Sequence, residues 1–219
     1  MTSIARHPVN TLACGLLLGL SIGLTGCALS SPAAHPSLYD FGPSLLSPAD
    51  PAPAPLPEAT ARRLLIVAEI DASPALESNA LLYRLAYADA QQLKPYALAR
   101  WSMTPAQLVR QRLRDQLGRS RTLLNPGDNM GLNGAPTLRL ELEEFSQWFE
   151  RPGSSVGLLR LRATVAYTSP TGAPLITQRH ITLQRPAPSA DATGGVRALT
   201  AATDAAILEI DAWLRALAL

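Results

Sequence analysis

An uncharged apolar run, Thr11 to Thr25, closes on Leu24-Thr25-Gly26-Cys27, and that ending decides where the rest of the chain must find its stability. Arg6 and His7 precede the run. It is shorter than the about 20 residues that a membrane-spanning helix needs, so it reads as the core of a signal peptide. A branched apolar residue three before the cysteine, with small residues directly before it, is the processing pattern of a bacterial lipoprotein. The sequence therefore predicts cleavage between Gly26 and Cys27, removal of residues 1–26, and attachment of lipid, palmitate included, at Cys27. Cys14, the other of the two cysteines, has Thr11 three positions before it and leaves with the peptide. With the Cys27 thiol consumed by lipid, no intrachain disulfide can form even in an oxidising compartment. A packed core has to hold the fold. Several acyl chains on one residue give firm anchoring where a single chain binds only marginally. Ala28 follows the cysteine where Asp would signal retention, which predicts the periplasmic face of the outer membrane.

Charge narrows the partners. Loss of the leader removes Arg6 and no acid from a chain with 19 basic and 17 acidic side chains, so the mature protein is close to neutral. Nothing in that balance calls for nucleic acid or another polyanion.

From Ala28 to Ala61 the chain is rich in Pro, Ala and Ser, and Ser47 to Pro57 reads SPADPAPAPLP. Such a segment favours extended polyproline II and reads as a spacer holding a folded domain off the membrane. Residues 27–61 are accordingly assigned to the lipidated cysteine and its linker, and residues 62–219 to one domain. Inside the linker, Ser37 to Pro43 alternates apolar and polar residues and fits an edge strand that pairs onto the domain.

The domain reads as α+β, a mainly antiparallel mixed sheet covered by two helices. Leu64 to Ile70 is a short apolar run expected as a strand buried on both faces. Leu81 to Tyr87 and Tyr96 to Trp101 read as a hairpin, and Arg121 to Leu124 as a short strand. Thr104, Pro105 and Gln107 supply an N-cap, a first-turn proline and a capping box, with Gly118 as the stop. Ala106, Val109, Leu113 and Leu117 form that helix's apolar stripe. Asn125 to Pro136 is a loop by composition. Three runs, Thr137 to Phe149, Val156 to Tyr167 and Leu175 to Leu183, form a meander, with a bulge where adjacent Glu143 and Glu144 shift the phase. Glu141 and Glu143 are expected to face Arg160 and Arg162. From Val196 to Leu217 apolar residues recur every three or four positions, the mark of a helix packed on the sheet, with Asp204, Glu209, Asp211 and Arg215 mostly on its other face.

Signatures of chemistry are scarce. After residue 26 the histidines are His35, in the linker, and His180, on an amphipathic strand where a surface position is expected. There is no GxSxG elbow and no Cys/His metal spacing. Asp128-Asn129-Met130-Gly131 fails the calcium-loop pattern because Met130 takes a ligand position. Gly127, Gly131 and Gly134 fit neither a dinucleotide nor a phosphate loop. The reading assigns no catalytic residue, no metal and no cofactor. The remaining candidates are Tyr96, Arg100 and Trp101, beside Tyr83, Arg84 and Tyr87. Tyr, Trp and Arg together are what a protein–protein hot spot uses, whereas aromatics on strands also fill cores. Both readings stand for Trp101, and Tyr83 reads as core.

The order of these features is that of a known family. A lipobox is followed by Leu38-Tyr39-Asp40-Phe41-Gly42-Pro43, an apolar strand, a hairpin ending Tyr96-Ala97-Leu98-Ala99-Arg100-Trp101, and a helix opened by Thr104-Pro105. This resembles the ABC-type transport auxiliary lipoproteins, the PqiC-like family, over roughly residues 37–217. The resemblance implies a fold similar to the N-terminal domain of TolB. It further implies a non-enzymatic docking or binding component of an ABC- or MCE-type envelope lipid transport system, with MCE-domain and ABC transporter subunits as partners and self-association into a homo-oligomer left open. A pilotin-like or lipopolysaccharide-assembly lipoprotein is the alternative.

Overall fold

The computed structural model describes residues 35–43, 63–128, 135–169 and 171–219. The leader, Cys27, nearly all of the linker and the middle of the 125–136 loop lie outside the described residues. The strands are β1 (Ser37–Tyr39), β2 (Arg63–Ala72), β3 (Ala80–Leu85), β4 (Leu93–Trp101), β5 (Arg121–Leu124), β6 (Thr137–Arg151), β7 (Ser154–Thr168) and β8 (Pro174–Pro186). The helices are α1 (Ala86–Asp89), α2 (Pro105–Leu117) and α3 (Ala192–Ala216), with a 3-10 turn at Pro74–Leu76.

Leu138, Leu140 and Leu142 alternate with charged residues, and this two-residue period makes β6 the spine of one mixed sheet. One edge of β6 carries β7 along its whole length, and β8 follows beyond it, both antiparallel. The other edge is shared. β2 runs parallel to Thr137–Leu142, the 3-10 turn intervenes, and β3 runs parallel to Gln147–Phe149. Between these two stretches lies the bulge, where the β6–β7 register shifts between Leu142 and Glu144, as the paired glutamates predict. β5 extends the sheet beyond β2, and β4 then β1 extend it beyond β3. Four of the seven pairings are parallel, but the long antiparallel β6–β7–β8 ladders hold most of the paired residues. The α+β mixed sheet is thus as the sequence predicts.

Helices α2 and α3 pack side by side over one face of this sheet. The capping box at α2 is formed in full, with the Thr104 hydroxyl accepting from the Gln107 backbone N–H and the Gln107 side-chain Oε1 accepting from the Thr104 N–H. Asp191 caps α3 by accepting from the Gly194 N–H at 2.7 Å. Leu108, Val109, Leu113 and Leu117 of α2 and Leu199, Ile207, Ile210 and Leu214 of α3 meet Leu65, Val67, Leu138, Leu142, Leu159 and Ile181 from the strands in one continuous core.

Several expectations need correction. β1 pairs to β4 as an edge strand, as the alternation of Ser37 to Pro43 predicts, so the compact unit begins at Pro36 and not at residue 62. The proline-rich segment therefore joins two strands of the same unit and does not lie between Cys27 and the domain. β2 is not buried on both faces: Leu65 and Val67 are sealed by the helices, while Leu64, Ile66 and Ile70, alternating with them or lying past a bulge, stay partly accessible. Tyr87 sits in α1 rather than in the hairpin strand. Arg162 takes both Glu141 and Glu143, at 3.1 and 2.8 Å, whereas the register sets Arg160 opposite Glu144, which bonds Arg84. Asp204 and Asp211 of α3 do not face away: each meets an arginine of another element.

The seating of α3 depends on glycine at one position. A Cβ added at Gly157 of β7 would come within 2.6 Å of the Ala198 carbonyl carbon and the Leu199 nitrogen, backbone that cannot give way locally. Gly157→Ala is therefore expected to push the helix off the sheet and destabilise the fold by about 1–3 kcal/mol. Urea denaturation measures it, and an unchanged midpoint contradicts this packing.

Candidate functional site

Ser37 to Gly42 contact three separate elements: β4, α2 and α3. β1 pairs in parallel with the end of β4, Ser37 opposite Ala99 and Tyr39 opposite Trp101, and the Ser102 N–H continues the ladder to the Tyr39 carbonyl at 2.7 Å. The Tyr39 hydroxyl shares a 3.1 Å hydrogen bond with Thr193 at the start of α3. The chain then turns: the Asp40 carboxylate accepts from the Gly42 N–H at 2.8 Å, and Gly42 adopts φ of 63°, a conformation that glycine takes without a Cβ clash.

That turn aims Phe41 inward. Its ring meets Trp101 edge-on at 5.6 Å and Phe145 at 6.2 Å, and Trp101 lies 5.6 Å from Phe145. Aromatic pairs of this kind add about 0.5–1.5 kcal/mol each beyond area burial. From α2, Arg112 donates through Nη2 to the Phe41 carbonyl at 2.7 Å while its guanidinium carbon lies 5.9 Å from the Phe41 ring centre. The same arginine closes on Asp204 of α3, Nε to Oδ1 at 3.1 Å. This is an ion pair without a hydrogen bond, since the Nε–H does not point at the carboxylate. Burial raises the Asp204 carboxyl above its ordinary value of 3.8, and the attraction of Arg112 offsets only part of that.

The sequence candidates separate. Trp101 is 0% exposed, so its ring belongs to the core and has no surface to offer a partner. Its indole Nε1 has no hydrogen-bond acceptor among the described residues. Tyr96 is partly buried, its ring tilted against that of Tyr83 at 4.6 Å, and donates to Gln147 Oε1 at 2.8 Å. Gln147 in turn donates to Ser155 at 2.7 Å. Burial first, then the neighbouring Tyr83 and Asp191, push the Tyr96 hydroxyl up to about 12, which keeps it a neutral donor. Arg100 remains partly exposed on β4. The three residues are thus two structural anchors and one rim cation. Tyr83 also serves the interior, 6.1 Å from Phe149. His180 is exposed on β8.

Sequence reasoning missed Arg112 and Asp204. Arg112 falls four residues after buried Leu108, within the apolar arc of α2, and a charge at such a position signals a buried partner. Between β1 and the first half of α3 runs a groove of about 600 Å³, lined among others by Leu38, Tyr39, Phe41, Val196, Thr200 and Ala201. Among the described residues no group of three or more His, Cys, Asp and Glu is placed to hold a metal, and no helix is long and apolar enough to cross a membrane.

The family follows from the sequence. Residues 45–211 match the profile of the ABC-type transport auxiliary lipoprotein component, and the chain belongs to that family. Two solved structures share the fold. One is a protein from Xanthomonas campestris assigned to the family DUF330, at 17% identity and a TM-score of 0.57, covering 71% of this chain and 88% of that one. The other is an uncharacterized protein at 15% identity and a TM-score of 0.55, covering 80% of this chain and 96% of that one. No curated protein matches the sequence.

Two variants test the clasp. Arg112→Ala strands the Phe41 carbonyl and the Asp204 carboxylate, and should cost about 2–4 kcal/mol in urea denaturation. For Asp204→Asn the sign depends on pH. Because burial raises the native carboxyl, the parent carries a desolvation penalty when ionised and loses it as pH falls through the raised value towards 3.8. The stability of Asp204→Asn relative to the parent should therefore decline over that same acid window. A difference independent of pH contradicts the assignment.

Proposed function

We propose that the chain is the lipid-anchored docking component of an ABC- or MCE-type system that moves lipids across a bacterial envelope. Membership of the transport auxiliary lipoprotein family gives the coarse role, an accessory to an ABC transporter. The observation that carries the finer reading is the clasp: the first strand after the lipobox is built into the core through Phe41, Arg112 and Trp101. A load applied between Cys27 and the domain thus meets a sheet ladder, an aromatic cluster and an ion pair rather than a loose linker.

In this reading residues 1–26 are the signal peptide, Cys27 carries the acyl chains, and the folded unit works at the periplasmic face of the outer membrane. Its partners are the MCE-domain and ABC subunits, with self-association open, and the protein performs no catalysis of its own. Arg100, partly exposed on β4 beside β1, is retained as a candidate contact. Trp101 contributes only by holding that edge in shape.

Cys27→Ser should abolish palmitate incorporation and leave the chain out of the outer-membrane fraction. The lipidated parent should co-purify with an ATPase, a permease and an MCE-domain subunit. Retention of palmitate in Cys27→Ser would overturn the anchoring, and repeated absence of those subunits would overturn the docking role.

A further inference from the structure

The anchor and the groove beside β1 bear on each other. Ser37 follows Cys27 by ten positions, and β1 is already part of the folded unit. Ten steps of extended chain reach at most about 36 Å. The proline-rich segment adds nothing to this reach, because it comes after β1. The corner formed by β1 and the end of β4 is therefore the part of the domain covalently nearest the membrane.

That corner is unusually apolar at its surface. Leu38 on β1 is 67% exposed, Leu98 on the adjoining strand 55%, and Met103, two residues beyond β4, 37%. β1 is the edge strand, with Leu38 opposite Arg100; Leu98 lies two residues before Arg100 on β4, and Met103 follows the end of that strand. The groove opens beside this edge. Its walls are Tyr39 and Phe41 on one side and Val196, Thr200 and Ala201 of α3 on the other. Its volume, about 600 Å³, lies in the range of about 300–1,000 Å³ that accommodates small ligands. Arg197, exposed on α3, is the cation of the lining; of its two carboxylates, Asp204 is held by Arg112 and Asp40 accepts from the Gly42 N–H.

From these features we propose that the groove takes one acyl chain of a phospholipid from the membrane in which the protein is anchored, with the phosphate on the side of Arg197. The exposed apolar edge meets the bilayer surface, and the chain slides between β1 and α3. This deepens the transport reading and rests on the acylation of Cys27, by naming where a lipid touches this subunit.

The test uses the full lipidated chain in vesicles of phosphatidylethanolamine and phosphatidylglycerol, doped with a phosphatidylethanolamine that bears a diazirine midway along one acyl chain. The same preparation is assayed for acylation of Cys27 by mass spectrometry. After irradiation, label should map to Leu38–Gly42 and to Val196–Asp204. Ala201→Trp fills the groove from an exposed helix position and should reduce that label several-fold. Leu208→Trp, also exposed on α3 but outside the groove, should leave it unchanged, and circular dichroism checks that both variants fold. Groove label that survives Ala201→Trp overturns the proposal, as does label confined to surfaces such as Ile176 at the far hairpin. So does a groove filled by the protein's own Cys27 acyl chain, recognised by mass. An acylated protein without groove label defeats this inference alone, whereas an unmodified Cys27 defeats the anchoring as well.

Discussion

The seating of Phe41 is the interaction on which the other features of this molecule depend. Its ring completes an aromatic cluster with Trp101 of β4 and Phe145 of β6, and its carbonyl receives the Arg112 guanidinium from α2. Arg112 then reaches Asp204 of α3. One residue outside the regular strands thus touches the sheet and, through a single arginine, both helices. The three residues of β1 would be too short to hold by their ladder alone, since an isolated short pairing is marginal in water. The aromatic and charge-assisted contacts supply what the ladder lacks.

Electrostatics inside the fold work by the cost of disruption. Arg112 with Asp204 and Arg121 with Asp211 join α3 to α2 and to β5 at two separate points along the helix. Neither pair is strong evidence of net stabilisation, because removing charges from water offsets most of their attraction. Sliding α3 would leave an arginine buried without its carboxylate, and that is expensive. Close contact over Gly157 restricts the helix in the same sense by sterics. The Tyr96–Gln147–Ser155 chain, with each buried polar group matched, adds direction without charge.

Much of this was legible in the amino-acid order, for identifiable reasons. The capping box at Thr104, the meander of three alternating runs and the bulge at Glu143-Glu144 are local patterns, and local patterns survive folding unchanged. The parallel pairing of β2 and β3 to β6 is not local: nothing within either strand names its neighbour. For the same reason Asp204 and Asp211 read as solvent-facing until their arginines, on other elements, are seen. A strand's period fixes alternation but not which side is covered, so the sequence leaves Trp101 open to both core and surface. Phe41 decides it by lying across the ring. The alternation of Ser37–Pro43 is a local signal and predicts the edge strand that pairs with β4, whereas its low-complexity surroundings carry no sign of where the compact unit begins.

If the clasp makes β1 part of the core, the strand before the proline-rich segment must open only when the core opens. Hydrogen exchange of the full-length protein, read by mass spectrometry over residues 37–43 and at the Ser102 amide, measures this directly. The account predicts protection comparable to that of β6 and β7, with both lost together as denaturant is added. Rapid exchange of residues 37–43 while β6 and β7 stay protected would contradict it.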